Sequence, residues 1–160
     1  MNIEERIQQY LEGPALLRRA VAGMTREQLL ARPVPGRWST LEVVCHLADF
    51  EPIFADRIKR AIAEERPIIF GANQDLFVQR LAYHERDLEE ELGIIELTRK
   101  QLARILRTLQ PEDFQRVAVH NQAGPRTVEQ LLQTAINHIP HHVRFIDEKR
   151  RALGLPGLQG

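Results

Sequence analysis

Asn137-His138-Ile139-Pro140-His141-His142 sets three of the chain's six histidines late in a segment of long helical periodicity. At about 100° per residue, His138 and His142 lie about 40° apart around a helix axis and about 6 Å apart along it, so both imidazoles can reach one point. Val128, Leu131, Leu132, Ala135, Ile139 and Ile146 share the face of His142. His141 turns to the other side, with Thr134, Asn137, Arg144 and Glu148. Two of the three histidines therefore project from an apolar face and the third faces solvent. A single histidine on such a face is commonly a hydrogen-bonded core residue, and an i, i+4 pair does not separate that reading from chelation. A third ligand would.

The helix around the pair opens at Thr127-Val128-Glu129-Gln130, a capping box, and is expected to run to about Leu153 before Leu155-Pro156-Gly157 stops it. Arg150 and Arg151 near its end suit the helix dipole. Pro140 forfeits the bond to the Ile136 carbonyl and is expected to kink the chain between His138 and His142. A second long helix, from about 40 to about 64, follows Ser39 as N-cap with Glu42 three residues on. Val43, Phe50, Ile53 and Phe54 share the face of His46, which makes His46 the third ligand candidate. Glu42 and Asp49 flank it, as solvated helix charges or as carboxylates that accept the proton of a non-ligating ring nitrogen. Cys45 reads as a small buried apolar residue.

Outward from these two helices, Ile3, Ile7, Tyr10, Leu11, Leu16, Leu17 and Val21 predict a first helix over 3–22, bent or briefly broken at Gly13-Pro14. Thr25-Arg26-Glu27-Gln28 opens a short helical turn, and Arg32 to Gly36 is a connector. A further connector, Arg66-Pro67 and Phe70 to Asn73, leads to a short helix around Leu76 to Leu81. Asp87 caps a helix of about 24 residues that Pro111 ends. His84 falls at a turn. Glu112 to Arg126 has no long periodic run, and His120 within it reads as a loop histidine, more often exposed than site-lining. No strand or hairpin signal stands out.

With 160 residues the chain is one domain, 1–160. Twenty-two basic residues balance twenty-two acidic ones, so no electrostatic footprint for nucleic acid or anionic membrane exists. A lone cysteine, no signal-peptide core and no bilayer-length apolar run make a reducing cytoplasm the expected compartment. Four long helical segments give an all-α, up-down four-helix bundle with short extra helices in the connectors. Three inward imidazoles without partners would each cost about 1–3 kcal/mol, and a divalent metal would satisfy them together. Three protein ligands leave a position open, the form of a catalytic site. Ligating histidines must be neutral, so metal should be lost on acidification. No Glu-x-x-His motif occurs, which disfavours a carboxylate-bridged two-metal site.

Pro35-Gly36-Arg37-Trp38-Ser39-Thr40 together with Val43 to Glu51, followed far downstream by the HxxxH of His138 and His142, resembles the DinB/YfiT-like family, metal-dependent proteins of bacteria distinct from the DNA polymerase that shares the first name. The resemblance covers essentially the whole chain. It implies a four-helix bundle, often a homodimer, with a divalent metal (Zn, Ni, Fe or Mn) near one end held by His46, His138 and His142. It further implies an enzyme acting on a small-molecule substrate, either a transferase or isomerase using a low-molecular-weight thiol or a hydrolase, with the metal as Lewis acid. Glu42, Asp49 and His120 are only candidates for a general base. Whether His141 could replace His138 or His142 stays open, though the face argument favours the latter two. Two other readings compete: a non-catalytic module binding a small ligand or partner, and a bundle whose histidines hydrogen-bond in the core.

Overall fold

The computed structural model describes residues 1–158, so the last two positions of the expected domain lie outside it. Four long helices build the core: α1 (Ile3–Val21), α3 (Thr40–Ala63), α5 (Leu88–Leu106) and α6 (Val128–Ala152). Two short ones, α2 (Arg26–Leu30) and α4 (Gln74–Arg80), sit in the connectors. Capping boxes form at Thr25, Ser39 and Thr127 as their spacing predicts, and also at Asn2. At the far end of α6, Gly154 takes φ 73°, and the amides of Gly154 and Leu155 bond back to Arg151 and Arg150, a Schellman stop.

The bundle expected from the periodicity forms, and its core shows which way the helices run. One apolar cluster joins Ile7 and Tyr10 of α1, Ala55 to Ala61 of α3, Leu102 to Leu106 of α5 and Val128 to Ile136 of α6. A second joins Leu17 to Val21, Leu41 to Ala48, Leu92 and Ile95, and Ile139 to Ile146. Thus α1 and α6 run one way, and α3 and α5 the other. The link between the parallel pair α3 and α5 must therefore travel the length of the bundle. It does so: Ile69 lies in the first cluster, while Phe77, Val78 and the buried Tyr83 pack on the second.

Three expectations are corrected. α1 is continuous through Gly13-Pro14. The carbonyl of Tyr10, which Pro14 cannot serve, takes a bond of 2.6 Å from Arg99 Nη1, so a tertiary partner replaces the lost helical one. α5 spans 19 residues rather than about 24, because i→i+3 bonds at Thr108 and Leu109 tighten its last turn; Pro111 opens a 3-10 turn (Pro111–Gln115) instead of ending the helix. Strands are also present: β1 (Ile68–Ile69) pairs parallel with β2 (Val117–His120), which pairs antiparallel with β3 (Gly124–Thr127). Gly124, at φ 76°, supplies the left-handed residue of the β2–β3 turn. Among the described residues no helix is long and apolar enough to cross a membrane.

Candidate metal centre

His46 projects from the N-terminal half of α3, and His138 and His142 project from successive turns of α6. Because α3 and α6 pack antiparallel, the three rings meet. Their centroids stand 4.7–4.9 Å apart pairwise, and one ligand nitrogen from each ring lies within 4.8 Å of the others. His46 Nε2 and His138 Nε2 are 3.0 Å apart. Ligand nitrogens around one tetrahedral zinc-like ion would stand about 3.3 Å apart, so small ring rotations suffice to fit one cation. α6 remains helical through Pro140, which leaves His138 and His142 on one face.

A hydrogen-bonded core pair explains the geometry less well. If His46 and His138 shared a proton between their Nε2 atoms, both Nδ1 atoms would still be buried without a partner, and His142 would be left out. Burial pulls all three imidazoles far below their ordinary value, to about 4 for His46, where Asp49 partly offsets it, and to about 3 for His142 and about 2 for His138, where repulsion from neighbouring histidines adds to it. At neutral pH each ring is uncharged and has a lone pair to offer.

No carboxylate orients these rings. Glu42 accepts from the Ser39 amide and from Arg32 Nε, 3.0 and 2.8 Å. Burial pushes its carboxyl up, but these partners outweigh that and hold it below the ordinary range. Asp49 is clasped by two nitrogens of Arg86, at 2.6 and 3.0 Å. Both acids are ion-paired, neither solvated nor free to act as a base. Aromatic rings hold the histidines instead: Trp38 and Phe50 flank His46 at 5.2 and 4.6 Å, Phe54 stands 4.9 Å from His138, and Phe145 stands 5.9 Å from His142.

The other histidines lie elsewhere. His141 is exposed, with Nδ1 3.4 Å from Arg144. His120 Nδ1 accepts from the amides of Gln122 and Ala123, which closes the β2–β3 turn. His84 contacts Arg32 in the 3-10 turn Tyr83–Glu85. Cys45 is buried, as expected, and burial pushes its thiol up to about 12.

A cleft of ≈ 250 Å³ opens beside the cluster, with His142, Trp38, Phe145, Arg37, Asp75 and Lys149 on its walls. Sequence reasoning passed over Lys149. Its signal was its place on α6 seven residues after His142, on the same face two turns further on.

Three neutral imidazoles converging from two antiparallel helices beside an open cleft define a class: a small helical bundle built around a histidine metal-type centre. Residues 9–146 match the DinB superfamily, and the chain belongs to that superfamily. A protein of Oceanobacillus iheyensis, provisionally named a metal-dependent hydrolase, is 30% identical over 144 residues, covering 90% of this chain and 83% of that one. YfiT of Bacillus subtilis, similarly named, is 30% identical over 149 residues, 92% of this chain and 84% of its own. The YfiT structure, described as having an unusual four-helix bundle topology, superposes with TM-score 0.89 at 29% identity, over 96% of this chain and 89% of that one. A mycothiol-dependent maleylpyruvate isomerase shares the fold at TM-score 0.71 and 12% identity, over 90% of this chain and 60% of that one.

Proposed function

We propose that this chain is a metal-dependent enzyme in which His46, His138 and His142 hold one divalent cation and a small nucleophile, water or a low-molecular-weight thiol, attacks a substrate seated in the adjoining cleft. The observation that carries the reading is the convergence of three neutral imidazoles, one buried and two half-buried, on one point next to that cleft. The names of the similar proteins, metal-dependent hydrolases, support it.

When bound, the cation supplies Lewis acidity, which gives water or a thiol nucleophilic character at neutral pH. The chain contributes the rest. His46 fixes one ligand direction from α3, and the His138/His142 pair fixes two more from α6. Three protein ligands leave room for a nucleophile. Trp38, Phe50 and Phe54 exclude water from the ring edges and hold the imidazoles without a carboxylate. Asp75 is the one acid on the cleft wall among the described residues, and it faces solvent.

Metal content after chelator-free purification or reconstitution tests the reading. One divalent ion per chain is expected, with loss of about tenfold or more in affinity for His46→Ala and His142→Ala. A wild-type protein that holds no stoichiometric metal under any of these conditions sinks it. A paired screen, simple esters and amides on one side and a thiol with electrophiles on the other, then separates hydrolysis from thiol transfer.

A further inference from the structure

We propose that the cleft beside His142 is a carboxylate-binding subsite in which Lys149 and Arg37 clasp the acid group of a small monoanionic substrate or co-substrate. The inference names the substrate class of the centre described above and rests on that reading only for where the reacting end lies.

Lys149 carries the argument. It is only 3% exposed, yet no described carboxylate forms an ion pair with it; its single partner is the Phe145 carbonyl, 3.2 Å from Nζ. Two of its three N–H groups are left over. A buried ammonium is ordinarily matched by a carboxylate, because desolvating an unpaired charge is expensive. The two acids that act on it, Glu148 and Glu42, do not fill that role: Glu148 is exposed, and Glu42 is committed to Arg32 and Ser39. Burial and the nearby Arg37 both pull the Lys149 ammonium below its ordinary range, so a counter-charge from outside the chain is what would hold it charged, and Lys149 lines the cleft through which that charge would arrive.

Arg37 stands at the mouth of the same cleft, exposed, its guanidinium unpaired among the described residues. A planar fork there and a point charge deeper in are complementary ways of gripping a carboxylate. The charges on the wall also limit the ligand. Arg37 and Lys149 oppose one acid, Asp75, and His142 is neutral, so the lining is positive by a single charge. That suits a carboxylate better than a phosphate dianion. Lys149 sits about 10 Å along the helix axis from His142, and its bond to the carbonyl four residues back shows that it leans towards the histidines. A substrate several bonds long can thus place its acid on Lys149 and its reacting atom at the centre, with the Trp38 and Phe145 rings along its apolar middle.

Trp38 is the chain's one tryptophan and lies on the cleft wall, so its fluorescence reads occupancy directly. Metal-free and cobalt-loaded protein would be titrated with butanoate, butanamide and inorganic phosphate. We expect a saturable Trp38 response to butanoate and none to butanamide at the same concentrations. Lys149→Gln should weaken butanoate by about tenfold or more, while Lys149→Arg should stay within about threefold of wild type. Arg37→Gln, at an exposed position that folding does not need, should show a smaller loss of the same kind. A silent Trp38, or equal butanoate affinity in wild type, Lys149→Gln and Arg37→Gln, overturns the subsite. Tighter binding of phosphate than of butanoate, with the same dependence on Lys149, overturns the monoanion assignment. Cobalt absorption bands report the metal centre separately: their absence defeats the metal reading and leaves the Trp38 titration to be judged by itself.

Discussion

Two polar clusters are buried in the same bundle, and they are built on opposite terms. Arg99 of α5 is completely enclosed with Glu51 of α3. It gives two bonds to that carboxylate, at 2.8 and 3.0 Å, and one each to the carbonyls of Tyr10 and Ala135 at 2.6 and 2.8 Å. One side chain thereby ties all four long helices, and four of its five N–H groups are used. The histidine cluster has three rings, one nitrogen-to-nitrogen approach and two buried Nδ1 atoms with no partner. Where the chain satisfies its own buried groups, they hold the fold. Where lone pairs converge and stay unsatisfied, the chain supplies no partner of its own, which is the feature the proposed metal site rests on.

The largest break in that comparison is Arg99→Leu. It strands Glu51 in a site that already pushes its carboxyl up by burial, and we expect a loss of about 3–5 kcal/mol in urea unfolding. The double change Arg99→Leu/Glu51→Leu should recover much of that, since no charge is then left buried alone. His46→Ala should cost less, because it leaves a cavity between Trp38 and Phe50 but strands no buried charge. Its effect appears with metal: at a free concentration about a hundredfold above Kd, a divalent ion should stabilise wild type by about 2.7 kcal/mol. Chelator should reverse this, and His46→Ala should not show it. Equal responses of the two proteins to metal would erase the distinction between the clusters.

Gly13 shows why one cluster was readable in the sequence and the other was not. The histidines announced themselves: His46, His138 and His142 carry a chemistry that few residue types share, and helical spacing placed each on an apolar face before any tertiary contact was known. Arg99 gave no such signal, because an arginine on a charged helix reads as a solvated residue until four helices are brought around it. The same blindness made Gly13-Pro14 look like a break. The proline's missing bond is visible in sequence, whereas the guanidinium that replaces it comes from 85 positions away on α5. The β2–β3 hairpin was missed for a related reason, since four-residue strands that lean on a bundle end show little periodicity of their own. A Cβ on Gly13 would collide with Arg99 Nη1. Gly13→Ala should therefore lower stability by about 1–3 kcal/mol, against the gain that alanine ordinarily brings to a helix interior. A stabilising Gly13→Ala would mean that Arg99 has room to move and is not the fixed tie described.

The smallest effect, reckoned per residue, is the response of the metal-free protein to pH. The folded imidazoles stay neutral down to about 4 for His46, 3 for His142 and 2 for His138, whereas in the unfolded chain they take up protons near the ordinary histidine value of about 6.5. Between those limits the unfolded state holds more protons, so stability falls as pH is lowered through about 6.5 and is fully present only above it. From pH 7 to pH 6 the loss should be about 0.5–1 kcal/mol for each buried ring, measured by urea unfolding in the presence of chelator. Replacing His142 should flatten the slope. Metal loading should raise stability without changing this slope, since the folded rings hold no protons here with or without a ligand; it should steepen the dependence only as pH falls to about 4, where metal competes with protons for His46. A metal-free protein of constant stability across this window would mean that the three rings accept protons as readily when folded as when unfolded. They would then be solvated, and the contrast with Arg99 would fail at its root.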